Sequence, residues 1–252
     1  HATSGKGGGV YNTSTATIVR STISGNLASD GAGLANVNFS VTTSATLLLS
    51  TLSGNSSTNR GGAIFSDIGT TSVIRESTIA LNGAAASGGG IFQQGTLSIG
   101  GSILATNTVG TTGPDIAGVI TSLGNNLIGA TTGGSGFVVS DLQNVNPKLS
   151  ALRDNGGPTF THALLPGSLA IDGNSTTPST ITDQRLRPRP VDGNNDGIAR
   201  ADIGAYEAQG TLLPLPSAAT DVTITLNGSN VDVTDNSTGL VILTVPLDPV
   251  GP

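Results

Sequence analysis

The residues best able to do chemistry in this chain lie in a segment rich in oxygen-bearing side chains. Asp192, Asn194 and Asp196, followed by a glycine, match the D-x-N-x-D-G start of an EF-hand-type loop. Alternate oxygen ligands and a glycine turn suit calcium, but the closing acid is expected at the twelfth loop position. That position is Ile203, and the nearest acid is Asp202. Calcium held by these four polar residues is one hypothesis, and a metal-free turn is the alternative.

Composition limits the other kinds of chemistry. The chain has no Cys, and its two histidines, His1 and His162, are far apart, so we expect neither thiolate nor His-rich metal sites and no cofactor other than calcium. The net charge is −6, with no basic cluster interleaved with aromatics, which argues against a nucleic-acid partner. No apolar stretch approaches the length of a membrane span, so we expect no membrane insertion.

The first half of the chain is built from a repeated unit. One phrase recurs as STISGN (21–26), STLSGN (50–55), STIALN (77–82) and, more loosely, GSILATN (101–107). A second phrase keeps the same period, as GGGVY (7–11), GAGLA (31–35), GGAIF (61–65) and GGGIF (88–92). Two phrases at one period of 20 to 30 residues indicate a solenoid in which each copy contacts its neighbours.

The unit is β rather than helical, because the runs between the phrases are short, rich in β-branched residues and bounded by Gly, Ser and Asn. We predict an all-β fold, a right-handed parallel β-helix with three short strands per coil and repeats over about residues 7–130. Two inward rows are expected, the first formed by Val10, Leu34, Ile64 and Ile91. The second is expected to contain Ile23, Leu52, Ile79 and Ile103.

An asparagine ends the first phrase in every copy, at Asn26, Asn55, Asn82 and Asn107. Asparagine tolerates the left-handed conformation of a sharp turn, and its amide can bond to the equivalent amide one coil away. We predict a structural ladder, with a ligand-binding row as the weaker alternative.

Polysaccharide hydrolase or lyase activity requires carboxylates on one face of adjacent coils. Counted from the inward apolar positions, Asp30, Asp67 and Asp115 fall on different faces. The sequence therefore predicts no enzyme and no turnover of pectin or alginate.

The period ends after about residue 130, and residues 151–207 are denser in charge. Four ordered phrases follow, at 156–168, 170–172, 182–188 and 201–207. They resemble the C-terminal signature of the bacterial choice-of-anchor Q domain proteins over about residues 141–207, although Leu169 and Leu186 replace a more usual Pro and Gly. The resemblance implies a secreted or cell-surface β-helix, pectin lyase-like in fold, and no catalytic set.

Arginines in this element suggest how it is held. Arg185, Arg187 and Arg189 lie close to Asp183 and Asp192 in sequence. Charge-assisted pairs among them would tie a long excursion to the β-helix, which we expect to extend over residues 1–207. An anion or glycan site is the alternative.

Residues 208–219 read as a Pro-rich linker, and 220–252 as a C-terminal β-strand extension with a hairpin turn at Asn227-Gly228. The chain starts at His1 without a methionine, so we expect a longer precursor. No cap precedes Gly7, and the tail needs a surface to pair with. We therefore expect an extracellular or cell-surface filament subunit that pairs with itself. The alternative is a passive adhesin or stalk segment, with surface glycans as further partners.

Overall fold

The computed structural model of the protein describes residues 2–39, 43–210, 222–227, 230–236 and 240–246. These residues form an all-β structure in which parallel strands stack into a solenoid of about four turns, so the predicted fold class is confirmed. No helix occurs among them, and hence none that is long and apolar enough to cross a membrane.

Each turn contributes one strand to each of four parallel sheets, named here sheets A to D in chain order. Sheet A contains β1 (Ala2–Lys6), β5 (Leu27–Asp30), β9 (Ser56–Arg60), β13 (Gly83–Ala84) and β17 (Thr108–Val109). Sheet B contains β2 (Val10–Asn12), β6 (Leu34–Asn36), β10 (Ile64–Ser66), β14 (Ile91–Gln93), β18 (Ile116–Val119) and β21 (Gly134–Ser135). Sheet C contains β3 (Thr15–Val19), β7 (Ser44–Leu48), β11 (Thr71–Arg75), β15 (Thr96–Gly100) and β19 (Thr121–Ser122). Sheet D contains β4 (Thr22–Ser24), β8 (Thr51–Ser53), β12 (Thr78–Ala80), β16 (Ile103–Ala105), β20 (Leu127–Ile128) and β22 (Leu142–Gln143).

Each coil has four strands, not the predicted three. Three of the corners between successive strands are sharp bends at residues in the left-handed conformation. At the corner between sheets A and B a glycine recurs, since a Cβ on Gly61 would lie 2.3 Å from the carbonyl oxygen of Ile64. At the corner between sheets C and D the left-handed residue is Arg20, Leu49 or Glu76 in the first three coils. These side chains give no turn signal in the sequence, so this corner was missed.

The first predicted inward row is confirmed, since Val10, Leu34, Ile64 and Ile91 are register partners in sheet B. In the second row, Ile23, Leu52 and Ile79 are partners in sheet D as predicted.

The prediction for Ile103 in that second row is wrong. Ile103 pairs with Thr78, and Leu104 takes the inward position beside Ile79. The repeat starts at Ser102, not at Gly101, so that Ile103 corresponds to Thr78. An alignment that is one residue out assigns a side chain to the other face of a strand. Ile103 consequently packs outside the coils, with Ala170 and Ile203.

The coils end at Gln143, earlier than the predicted 207, and residues 145–209 form an irregular segment with isolated β-bridges. We call it the covering segment, because it packs on the outer face of sheet D. His162 Nε2 lies 2.9 Å from Ser53 Oγ, and Thr51 Oγ1 donates to Gln184 Oε1 at 2.7 Å.

The chain divides into two compact units, His1–Gln209 and Gly210–Pro252. The described part of the second unit is an antiparallel sheet of β23 (Val222–Asn227), β24 (Asn230–Asp235) and β25 (Leu240–Pro246), in that order. Gly228 of the predicted hairpin turn and most of the predicted linker lie outside the described residues.

Candidate functional sites

The asparagines of the repeat bond to each other through the solenoid. Asn26 Nδ2 donates to Asn55 Oδ1, Asn55 to Asn82 and Asn82 to Asn107, each at 2.9 Å. The backbone N–H groups of Asn26, Asn55 and Asn82 also donate to the next Oδ1 at 2.9 to 3.1 Å. Asn55 and Asn82 are fully buried. The amides therefore satisfy buried polar groups at each corner between sheets D and A, which is a structural role.

The asparagine row ends on a carboxylate, Asp115. Its Oδ1 accepts from the backbone N–H and Nδ2 of Asn107, and its Oδ2 accepts from the N–H of Ala130. An ionised carboxylate has only acceptors, so it closes a row in which every amide donates in the same direction. Burial raises the pKa of Asp115 to about 6, although the hydrogen bonds from Asn107 and Ala130 lower it.

A second polar row runs along the corner between sheets C and D. The N–H groups of Ser21, Ser50 and Ser77 each donate to the next serine Oγ, and that of Ser102 donates to Asn126 Oδ1. Asn126 then donates through its N–H and its Nδ2 to Asp141 Oδ1, both at 3.0 Å. Both rows therefore end on a buried aspartate.

The covering segment is held by a buried cluster around Asp183. Arg185 Nε donates to Asp183 Oδ2 at 2.8 Å, and Arg185 Nη2 donates to the carbonyl of Glu207 at 2.6 Å. The Arg185 guanidinium lies 3.6 Å from the ring centroid of Tyr206, a cation–π contact. Gln184, which lies between Asp183 and Arg185 in the sequence, donates from Nε2 to Thr22 Oγ1 of the first coil at 3.0 Å.

A second cluster joins the covering segment to the coils through Arg189. Its Nε lies 3.1 Å from Glu207 Oε2, and its Nη1 lies 3.7 Å from Glu76 Oε2 of the third coil. Burial raises the pKa of Asp202 and of Glu207, and their mutual repulsion adds to the shift of Glu207. The predicted tie by arginines is thus present, although Glu76 and Glu207, which lie far away in sequence, supply two of the acids.

The structure separates the four residues of the calcium hypothesis into two environments. Asp192 accepts from the N–H groups of Asp196 and Gly197, and Asn194 Oδ1 also accepts from that of Asp196. Asp202 is fully buried and accepts from the N–H groups of Asp172 and Ala208. Over the described ranges, no three His, Cys, Asp or Glu side chains form a group that could hold a metal ion. Calcium at this loop stays a prediction.

The other acids weighed for catalysis lie in separate contacts. Asp30 Oδ1 accepts from Arg60 Nε at 3.1 Å, and Asp67 lies 3.8 Å from Lys6 Nζ. The cations of these pairs lie over an aromatic stack on the outer face of sheet B, where the Phe65 and Phe92 ring centroids are 5.8 Å apart. Each of these acids has a cationic partner, which fits a structural role.

The two ends of the solenoid differ. Among the described strands, the last strand of each sheet pairs on one side only at both ends: β1 to β4 at the N-terminal end, called the open end, and β17, β19, β21 and β22 at the other. The difference lies in the apolar cover. At the other end, called the closed end, Phe137 packs on the main core. The loop that carries Phe137 is tied down by the Val138 N–H, which donates to Asp141 Oδ2 at 2.8 Å.

The sequence interpretation missed Asp115 and Asp141 as ends of the polar rows. A signal for Asp115 existed, because it stands directly before an inward isoleucine, where Gly33 and Gly90 stand in earlier coils. A Cβ at Gly33 or Gly90 would approach Asn55 Nδ2 at 3.2 Å or Asn107 Nδ2 at 3.0 Å. An acid at this position is therefore directed at the asparagine row.

Comparison of the chain with protein-family models, with curated proteins and with solved structures finds no match. The resemblance of residues 141–207 to the choice-of-anchor Q domain proteins stays a prediction.

Proposed function

We propose that the protein is an extracellular structural subunit that assembles with copies of itself through the open end. The observation that carries this proposal is the state of the first coil. Val10, Ile18 and Ile23 face the core but are only partly buried, whereas their partners Leu34, Leu47 and Leu52 are at most 1 % exposed. Unpaired strand edges occur at both ends, but half-exposed apolar core side chains beside them favour addition of further strands at this one.

In this proposal, the second unit of another copy covers the exposed apolar side chains at the open end. The antiparallel sheet of residues 222–246 has two edge strands, and Ile224 and Leu226 of β23 are 69 % and 67 % exposed. Strand addition supplies backbone hydrogen bonds and apolar contacts together. Charged residues make up only 10 % of the chain, so close contact between copies meets little repulsion. Phe137 occupies the closed end, which makes direct stacking of one solenoid on another the less favourable joint.

The second candidate is a stalk or adhesin segment, in which a further coil of the same longer polypeptide covers the first coil. It rests on the same half-exposed residues, and the resemblance at 141–207 fits either candidate. The two differ in what the isolated 252-residue chain does at high concentration.

The test compares charges placed at the two ends of the solenoid. Ile23→Lys puts an ammonium on the open end, where the half-exposed position lets the charge reach water and the coil still folds. Val139→Lys is the matched control, since Val139 is fully exposed on the loop of the closed end. We expect long filaments by negative-stain microscopy from the wild type and from Val139→Lys, but not from Ile23→Lys.

Deletion of residues 211–252 should likewise yield short species only. A wild-type chain that sediments as a monomer at high concentration would contradict the filament and favour the stalk. Filaments of unchanged length from the truncated chain would show that the tail is not the joining element.

A further inference from the structure

The outer face of sheet C carries a regular array of small hydroxyl-bearing side chains. Its strands pair without any register shift, so that outward residues of successive coils lie directly above each other. The first column contains Thr15, Ser44, Thr71 and Thr96, and the second contains Thr17, Thr46, Val73, Ser98 and Thr121. Eight of these nine residues carry a hydroxyl group, and none is charged or aromatic.

The array is accessible and is supported from below. Thr15, Thr17, Thr71, Thr96 and Thr121 are exposed, and the other four members are partly exposed. Beneath them, Leu47, Ile74 and Ile99 of the same strands are at most 1 % exposed and belong to the main core. Ser44 Oγ lies 3.4 Å from Thr15 Oγ1, so hydroxyls of adjacent coils are within contact of each other. The positions of the outward groups are therefore fixed before any ligand arrives.

The other three outer faces differ in ways that matter for recognition. Sheet D lies under the covering segment, and sheet B carries the Phe65 and Phe92 stack beneath cationic side chains. Sheet A has register shifts and carries the charged partners Lys6, Asp30 and Arg60. Sheet C alone among these described sheets combines exposure, unbroken register and two neutral columns.

The geometry of the array identifies the class of ligand. Neighbouring strands lie about 4.8 Å apart, and alternate residues along a parallel strand lie about 6.6 Å apart. These two repeats form a rectangular grid of hydroxyl and methyl groups, and oxygen atoms on a prism face of ice repeat at similar distances. A sugar-binding face would carry aromatic rings, and a mineral or nucleic-acid face would carry charges. Neither is present in the two columns.

We propose that the outer face of sheet C binds ice. The threonine hydroxyls hold water molecules at lattice positions, while the methyl groups limit competing hydrogen bonds from disordered water. Each contact is weak, but a rigid array loses little entropy on binding, so the contacts act together. Arg75, which lies one column beyond Val73, marks the edge of the face. This inference is independent of assembly, although a filament would present many copies of the face side by side.

The test places a bulky side chain in the middle of the array of the full chain. Thr46→Tyr interrupts the second column, and tyrosine is well tolerated on the exposed face of a strand. Thr58→Tyr is the matched control, because Thr58 is an exposed threonine of β9 in sheet A. The readouts are the fraction of protein incorporated into slowly growing ice and the inhibition of ice recrystallisation. Circular dichroism melting establishes that each variant is folded, and Thr17→Tyr replaces Thr46→Tyr should the latter unfold.

We expect the wild type and Thr58→Tyr to enter ice equally and the array variant to lose about tenfold in activity, equivalent to about 1.4 kcal/mol. Exclusion of the wild-type chain from ice at all concentrations would overturn the proposal. Equal activity of a folded array variant would also overturn it. Retention on crystalline cellulose or chitin that is lost in the array variant, without incorporation into ice, would assign the face to a polysaccharide instead.

Discussion

The open and closed ends of the solenoid share the same coil but finish it with opposite chemistry. At the open end, Val10 and Ile23 face the interior with nothing described above them, and the serine and asparagine rows begin at half-buried residues. At the closed end, both rows stop at buried aspartates, and Phe137 packs on the core. The closed end thus has both an apolar cover and an acceptor for its last polar groups, and the open end has neither among the described residues. The closed end supplies both within 27 residues, from Asp115 to Asp141.

The largest change in stability is expected from removing the carboxylate acceptor at the closed end. Asp141→Ala leaves the N–H groups of Asn126 and Val138 without their acceptor, while Asn126 Nδ2 keeps its bonds to Ile99 and Ser122. We expect a loss of about 3–5 kcal/mol in the free energy of unfolding, because two backbone N–H groups lose their acceptor at about 1–3 kcal/mol each.

The matched change at the other end of the same row is Ser21→Ala, which removes a hydroxyl bonded only to the carbonyl of Val19. We expect this substitution to change the free energy of unfolding by no more than about 0.5 kcal/mol, as other surface substitutions do. Urea denaturation of both variants at one protein concentration measures the difference. Equal losses would show that the two ends are energetically alike.

The pH dependence of stability tests the other terminating acid. The folded-state pKa of Asp115 is about 6, above its ordinary value of 3.8, because burial favours the protonated form. Its contribution to stability is therefore fully present below pH 4 and is lost as the pH rises through 6. The full shift corresponds to about 3 kcal/mol, most of which is lost between pH 4 and pH 7.5.

Comparison with Asp115→Asn isolates this contribution. Asn retains one acceptor for Asn107 but does not titrate, so we expect the variant to lose less stability than the wild type between those two pH values. Burial lowers the pKa of His162, which acts in the opposite direction in both proteins and cancels in their difference. Parallel pH profiles would rule out titration of Asp115 in this range.

The smallest expected effect compares two members of the asparagine row. Asn55→Ala removes hydrogen bonds to Asn82, to Asn26 and to the carbonyl of Ile23 in a buried site, and should cost about 1–3 kcal/mol. Asn26→Ala, at the half-buried start of the row, should cost about 1 kcal/mol or less. An unchanged melting temperature for Asn55→Ala would show that the row does not contribute to stability.

The sequence predicts the stacking of residues correctly in the repeated part of this fold and less accurately where the repeat becomes irregular or ends. The glycine-apolar phrase placed Leu34 and Ile64 correctly, because identical residues must stack when coils stack. It misplaced Ile103, because the fourth phrase was counted from Gly101, although Ile103 corresponds to Thr78. Nothing periodic marks Asp141, whose partner Asn126 lies 15 residues away and stands where earlier coils have a serine.

The covering segment shows the same limit. The sequence indicates Arg185 and Arg189 as ties, and Arg185 does pair with the nearby Asp183. The pairing of Arg189 with Glu76, more than a hundred residues away, depends on tertiary packing that no local pattern encodes. The hydroxyl columns of sheet C were visible only as β-branched runs, because their alignment requires the register between coils.

The side-chain rows give the solenoid a direction of growth. From Asn26 to Asn107, every side-chain-to-side-chain hydrogen bond of the row is donated toward the C-terminal end, and no described residue donates to Asn26 Oδ1. A new coil laid on the open end can continue the row only with an amide or hydroxyl that offers a hydrogen atom to Asn26. A coil with aspartate at that position would place two acceptors against each other. At the other end an aspartate already fills the last place and has no hydrogen atom to pass on. The polymer chemistry of the row is thus that of a chain with one living end and one terminated end.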